Sequence, residues 1–184
     1  VQEPYPCRLI PQIHGTKANA KQHKASVIQG ERNSVTDNPN VFPDQDLVLS
    51  GGNFHAQPLA LASDYLAIAT ADLGSISERR LFLLISGQRG LEAFLTTSPG
   101  LQSGFMIAQY TAAAIVSMNK QLATPSSVDS IVSSNGQEDH VSMAANAGVK
   151  VWQIVNNVAT VLALEWQAAA PAVEMKDYPI STTL

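Results

Sequence analysis

Gln137, Glu138, Asp139 and His140 set an amide, two carboxylates and an imidazole in consecutive positions. A polar loop containing one glycine, Ser133-Ser134-Asn135-Gly136, leads into them, and from Val141 to Ala170 the chain is apolar on almost every side. Two readings compete. The free N–H groups and macrodipole of a first helical turn favour negative charge by roughly 0.3–1 kcal/mol, which makes Glu138 and Asp139 ordinary residues of a helix start. Four polar side chains crowding the mouth of a helix too apolar for a surface predict instead a lined cavity, a place for a small polar ligand.

No other cluster of this kind stands out. His14, His23, His55 and His140 are scattered and Cys7 is remote from them, so no zinc site is expected. His55 follows Asn53-Phe54 and, taken alone, reads as a structural histidine. Gly51-Gly52 before it allows close backbone approach or positive φ, or is only a flexible connection. Tyr5 and Arg8, taken alone, read as an aromatic body beside a surface cation.

Composition narrows the classes. Charged residues are 14% of the 184, against about 25% in ordinary soluble chains. So little charge predicts that much surface is buried against other chains, or that the stretch is a piece of something larger. A net charge of −4 without a basic block argues against nucleic acid. Lys17, Lys21 and Lys24 read as a solvated helix face. One cysteine and no charged-then-apolar leader make the cytoplasm the expectation. Gln109, Thr111, Gln153, Asn156, Asn157 and Glu165 interrupt the apolar stretches Phe105–Met118 and Val151–Ala170, so no membrane span is expected. Val1 in place of Met predicts a natural chain that begins earlier.

The elements that must position these residues are helices. Pro4, Pro6 and Pro11 predict an ordered, irregular segment over Val1–His14, followed by a modest helix over Gly15–Ile28. Asp37-Asn38-Pro39 is turn chemistry, and Leu47–Leu49 a short extended piece. A long helix is predicted over Pro58–Ile85, about 40 Å at ~1.5 Å per residue and closed by Ser86-Gly87. Ser77, Glu78, Arg79 and Arg80 on it read as interhelix or intersubunit polar contacts. Gly104–Leu122 is a third helix and Asp139–Ala170 a fourth, ended by Pro171 and expected to be buried at the centre of a bundle shared by subunits, with 171–184 a poorly specified tail. No internal repeat or heptad run is apparent. The fold expected is all-α: one helical region forming a bundle of long helices with irregular polar segments at one end, prone to oligomerise.

The run Ser134-x-x-Gln137-Glu138-Asp139-His140-Val141-Ser142-Met143 resembles the motif of the histidine ammonia-lyases, in the family that carries a methylidene-imidazolone prosthetic group. Further blocks resemble that family in the same order. They are Val1-Gln2-Glu3-Pro4-Tyr5 with Arg8 and Pro11-Gln12; Asp37-Asn38-Pro39 with Ser50-Gly51-Gly52-Asn53-Phe54-His55; Ile76-Ser77-Glu78-Arg79-Arg80; and Ser103 to Gln109 with Ser127-Val128-Asp129-Ser130. Together they cover about Val1 to Ala170. Departures are Pro6-Cys7 and Ala56-Gln57, where many members carry Ser-Leu and Gly-Glu or Gly-Gln, and Leu9-Ile10, where some carry Cys-Gln.

The resemblance implies elimination of ammonia from L-histidine to give trans-urocanate by a homotetramer acting on a small amino-acid substrate. It implies that Gln2, Tyr5 and Arg8 face the substrate, Arg8 holding its carboxylate through a planar fork and Tyr5 assisting positioning or proton transfer. Glu138 would bind the imidazole or act as a base. Asn53 and Phe54 would lie beside the prosthetic group, with Phe54 walling the substrate pocket. That group is made from Ala-Ser-Gly, a tripeptide absent from these 184 residues, so the chain alone is expected to be inactive. Members acting on phenylalanine or tyrosine usually carry Asn-Gln-Asp where this chain has Gln137-Glu138-Asp139. A phenylalanine or tyrosine ammonia-lyase or 2,3-aminomutase is the second reading, and a non-catalytic helical assembly piece the third.

Overall fold

The structure is a computed structural model and describes residues 9–176. Four helices carry the chain: α1 (Leu9–Glu31), α2 (Gln57–Ile85), α3 (Met106–Leu122) and α4 (Ala144–Lys176). One small hairpin joins β1 (Asn40–Phe42) to β2 (Leu47–Leu49), antiparallel with Val41 opposite Val48. Short 3₁₀ turns occupy Pro43–Gln45, Asn53–His55 and Ser134–Gly136. The all-α expectation holds, and so does the extended piece at Leu47–Leu49.

Several boundaries differ from expectation. Helix α1 begins at Leu9 rather than after His14. Pro11 falls in its first turn, where an N–H has no intrahelical acceptor, so the ring costs no hydrogen bond. Its far end is held by side chains: Asn33 Nδ2 donates to Gln29 O (2.8 Å) and Ser34 Oγ to Gly30 O (2.9 Å). Helix α4 begins five residues later than expected and runs through Pro171 to Lys176. No acidic residue lies in its first turn, which removes the helix-start account of Glu138 and Asp139.

The described chain divides into two compact units, one of residues up to Ala69 with Ala123–Trp152, the other of Thr70–Leu122 with residues from Gln153 onward. Each receives part of α2 and part of α4. In the first, the buried apolar residues are small: Ala20, Ala60, Ala62, Ala67, Ala69 and Ala147, with Val151. The second has a core of Leu81, Ile85, Leu95, Ala112, Val116, Val161, Ala168 and Ala172. Close approach there is made possible by Gly74, where an added Cβ would stand 2.9 Å from Val158 Cγ2.

Polar groups join the helices of this second unit, as interhelix contacts of the predicted kind. Glu165 on α4 accepts from Ser77 Oγ (2.5 Å) and from both Nε and Nη2 of Arg80 on α2. Burial pushes the Glu165 carboxyl up, but Arg80 and Ser77 outweigh it and hold the group below its ordinary range. Wholly buried Glu78 accepts from Gln109 Nε2 of α3 (2.8 Å) and from Arg79 Nε (2.5 Å).

Helix α4 is not buried all round in this chain. Ala147, Val151, Ile154, Val158, Val161, Ala168 and Ala172 are buried, with Glu165 completing an alternating four-three spacing, while Val149, Trp152, Val155, Leu162 and Trp166 are exposed. That spacing is a heptad stripe, contrary to the expectation of none. Apolar residues on the opposite face mask it in the sequence. By length and composition alone, Asn53–Ile85 and Ala144–Lys176 are also each apolar enough to cross a membrane, so the polar interruptions of the last helix do not disqualify it on that ground.

Candidate active site

Within the first unit, the chain between α3 and α4 is folded into a tight polar loop. Lys150 on α4 donates to Thr124 O and to Ser126 Oγ (3.0 Å). Buried Asp64 on α2 accepts the Ser127 N–H at 2.6 Å, and Gln57, the first residue of α2, donates Nε2 to Ser127 O at 3.0 Å. The loop then doubles back through bridges between Ser130 and Ser142 and between Ser133 and Glu138. Val141 N–H donates to Ser130 Oγ at 3.0 Å. This pairing of residues 130–142 consumes the stretch expected as the first turn of α4, and it is why the helix waits until Ala144.

A second turn faces it. Asn53 Nδ2 donates to Val35 O (3.1 Å), and Gly51 N–H to Asn38 Oδ1 (3.1 Å), tying Gly51–His55 to the Asp37-Asn38-Pro39 turn. Gly51 and Gly52 do not take positive φ; the left-handed residue that closes the turn is Ala56, at φ 59°. Ser142 Oγ donates to His55 O and so joins the two turns. The His55 ring stands edge-on to His140, 6.2 Å between centroids, and 4.2 Å from Phe54.

Between them lies a cleft of about 300 Å³ lined by Asp37, Asn38, Phe54 and Glu138. Two carboxylates, an amide and a half-exposed aromatic ring converge there, with no cation among the described lining residues. Such a lining attracts a cationic or N–H-rich ligand and offers its flat part a wall. A larger groove in the same unit, about 520 Å³, is lined chiefly by Ile28, Leu59, Ala144 and Ala145, with Lys24, whose pKa burial lowers. Glu31, Arg32 and Ser63 also line it, so it mixes both signs of charge where the cleft at Glu138 gathers carboxylates.

The structure therefore brings Glu138 and Phe54 together across more than eighty residues of chain. Asn53 is not among the described lining residues; its amide donates to Val35 O. Gln2, Tyr5 and Arg8 lie outside the described residues. Asp37 and Asn38, read from the sequence only as turn residues, are additions to the site. The signal that could have found them is the Asp-Asn-Pro block standing in the same ordered match as Gly-Gly-Asn-Phe-His.

Residues 1–183 match the family model of the aromatic amino acid lyases. The chain belongs to that family. It is 58% identical over 174 residues to a histidine ammonia-lyase of Symbiobacterium thermophilum, covering 94% of this chain and 34% of the relative. Among solved structures, the histidine ammonia-lyase of Trypanosoma cruzi superposes with a TM-score of 0.90 at 42% identity, over 98% of this chain and 36% of that one. A tyrosine aminomutase of Streptomyces globisporus superposes at 0.88 with 35% identity, over 95% of this chain and 34% of that one. The chain thus spans about a third of the length of the curated lyases it matches, and within that family its cleft falls at the motif that carries Glu138.

Proposed function

We propose that the whole protein removes ammonia from L-histidine to give trans-urocanate, and that this chain supplies the acidic wall of the active site. The observation that carries the reading is Glu138, half-buried beside Phe54 and Asp37 in a cleft to which the described residues contribute two carboxylates. In the reaction the Cα–N bond breaks with its electron pair leaving on nitrogen, a β-proton goes to a base, and a Cα–Cβ double bond forms. An ionised carboxylate at Glu138 suits an imidazole N–H, or the β-proton, and has nothing to pair with on a phenyl ring. Phe54 walls the substrate. Arg8 holds its carboxylate, with Tyr5 and Gln2 beside it, as the family resemblance implies.

The family's methylidene-imidazolone supplies an electrophile that turns the amino nitrogen into a better leaving group. The residues here fit such a group: Phe54 offers a flat apolar face, and Asn38 Nδ2, unused among the described residues, is a donor for a ring carbonyl. Asn53 braces the turn that presents both.

Glu138→Gln in the full-length protein tests the reading, because it keeps size and removes charge. Histidine turnover should fall by about 10²–10⁴-fold, the range general acid–base groups supply. Phenylalanine or tyrosine turnover should fall much less. Unchanged histidine kinetics would return Glu138 to a structural role, whereas a wild-type full-length protein that converted tyrosine and not histidine would favour the aminomutase-like alternative, which similarity to the tyrosine aminomutase keeps in view.

The reading includes assembly. Exposed Trp152 and Trp166, at 70% and 79%, lie on one side of α4 with Val149, Val155 and Leu162, an apolar stripe of the kind that is covered in an oligomer. A homotetramer is the state proposed for the full-length protein, and light scattering that found a monomer would leave the stripe unexplained. The same reading makes the protein cytoplasmic, without nucleic-acid or membrane partners; cell fractionation checks it.

A further inference from the structure

Three consecutive residues, Ser134, Asn135 and Gly136, have φ of 53°, 55° and 88°. Left-handed backbone is unfavourable for a residue with a Cβ, and two such residues in succession persist only where their surroundings hold them. The surroundings here are the Ser133–Glu138 bridge: Ser133 N–H donates to Glu138 O at 2.9 Å, and Glu138 N–H to Ser133 O at 3.3 Å. Inside that closed turn, Ser134 Oγ donates to Glu138 Oε2 at 3.3 Å. One turn of four residues therefore fixes the backbone of Glu138 and one oxygen of its side chain.

We propose that Ser134 is a positioning residue for Glu138: its hydroxyl ties Oε2 and leaves Oε1 to meet the substrate. Among the described residues, Ser134 is the one side chain bonded to that carboxylate, so its loss removes the side-chain bond that restricts rotation of the carboxylate about its last bonds. The unfavourable backbone then has a purpose, because it holds the hydroxyl on the side of the turn where the carboxylate lies. This inference rests on Glu138 serving the substrate, as proposed above.

Glycine at position 134 separates hydroxyl from backbone, since it takes positive φ without cost and removes only the Oγ. In the full-length protein, Ser134→Gly should lower kcat/KM for histidine by about 2–10-fold, as for loss of a typical hydrogen bond, with the melting temperature unchanged or raised. Ser134→Ala should lower the rate equally. Placed on top of Glu138→Gln, Ser134→Gly should have little further effect, because a neutral amide draws less from the hydroxyl. Wild-type rates for Ser134→Gly, or an equal loss in both backgrounds, would overturn the assignment and leave Ser134 a structural turn residue. A full-length protein that does not turn over histidine, or that tolerates Glu138→Gln, would instead remove the reading underneath, and both are measured with Ser134 intact.

Discussion

Around Leu81, side chains from α2, α3 and α4 bury Leu, Ile and Val, and polar pairs cross between the helices, Arg80 and Ser77 with Glu165 and Gln109 with Glu78. Around Glu138 the lining is polar or half-exposed, and the backbone turns through Ser134, Asn135 and Ala56 at positive φ, as it also does at Phe94 and Leu95 beside the core. The first region gains its stability from area removed from water. The second gives up local stability to hold a few groups in fixed positions, the usual character of a reactive site carried on loops. Chemistry and stability are thus assigned to different residues, and each should respond to different substitutions.

Glu138→Gln is the sharpest test of that separation, since its predicted loss in turnover should come with less than about 1 kcal/mol of change in stability, read from melting curves of the full-length protein. Leu81→Ala should show the converse. Leu81 is wholly buried, so truncation should cost about 2–5 kcal/mol in denaturant unfolding, with the folded fraction keeping its KM for histidine. A large change in KM would mean that the core and the cleft are not separable. The smallest effect concerns Ala56, held at φ 59°, where many family members carry glycine. Ala56→Gly should stabilise by about 0.5–1 kcal/mol; a loss of stability in calorimetry would show that this turn carries no strain.

Much of this was legible in the sequence, and for physical reasons. Long stretches free of proline and dense in Ala, Leu and Val specify helices, so α2 and α3 fall within two residues of expectation. The ordered motif blocks marked Phe54 and Glu138 as partners before any distance was known. Three-dimensional contacts decided the rest. The residues from Asp139 to Met143 have no local rule against joining α4; bonds from Ser130, Ser133 and His55, up to 87 positions away, draw them into the loop. Pro171 looks like a stop, yet the helix continues through it. The heptad stripe of α4 was hidden because an apolar residue has the same character whether it faces a core or solvent. Asp37 and Asn38 looked like turn residues and are turn residues; only the return of the chain at Glu138 makes them the wall of a cleft. Composition and spacing determine which segments become helices and which residue types are at hand. Which polar groups share one small volume is set by long-range backbone pairing, which no local pattern encodes.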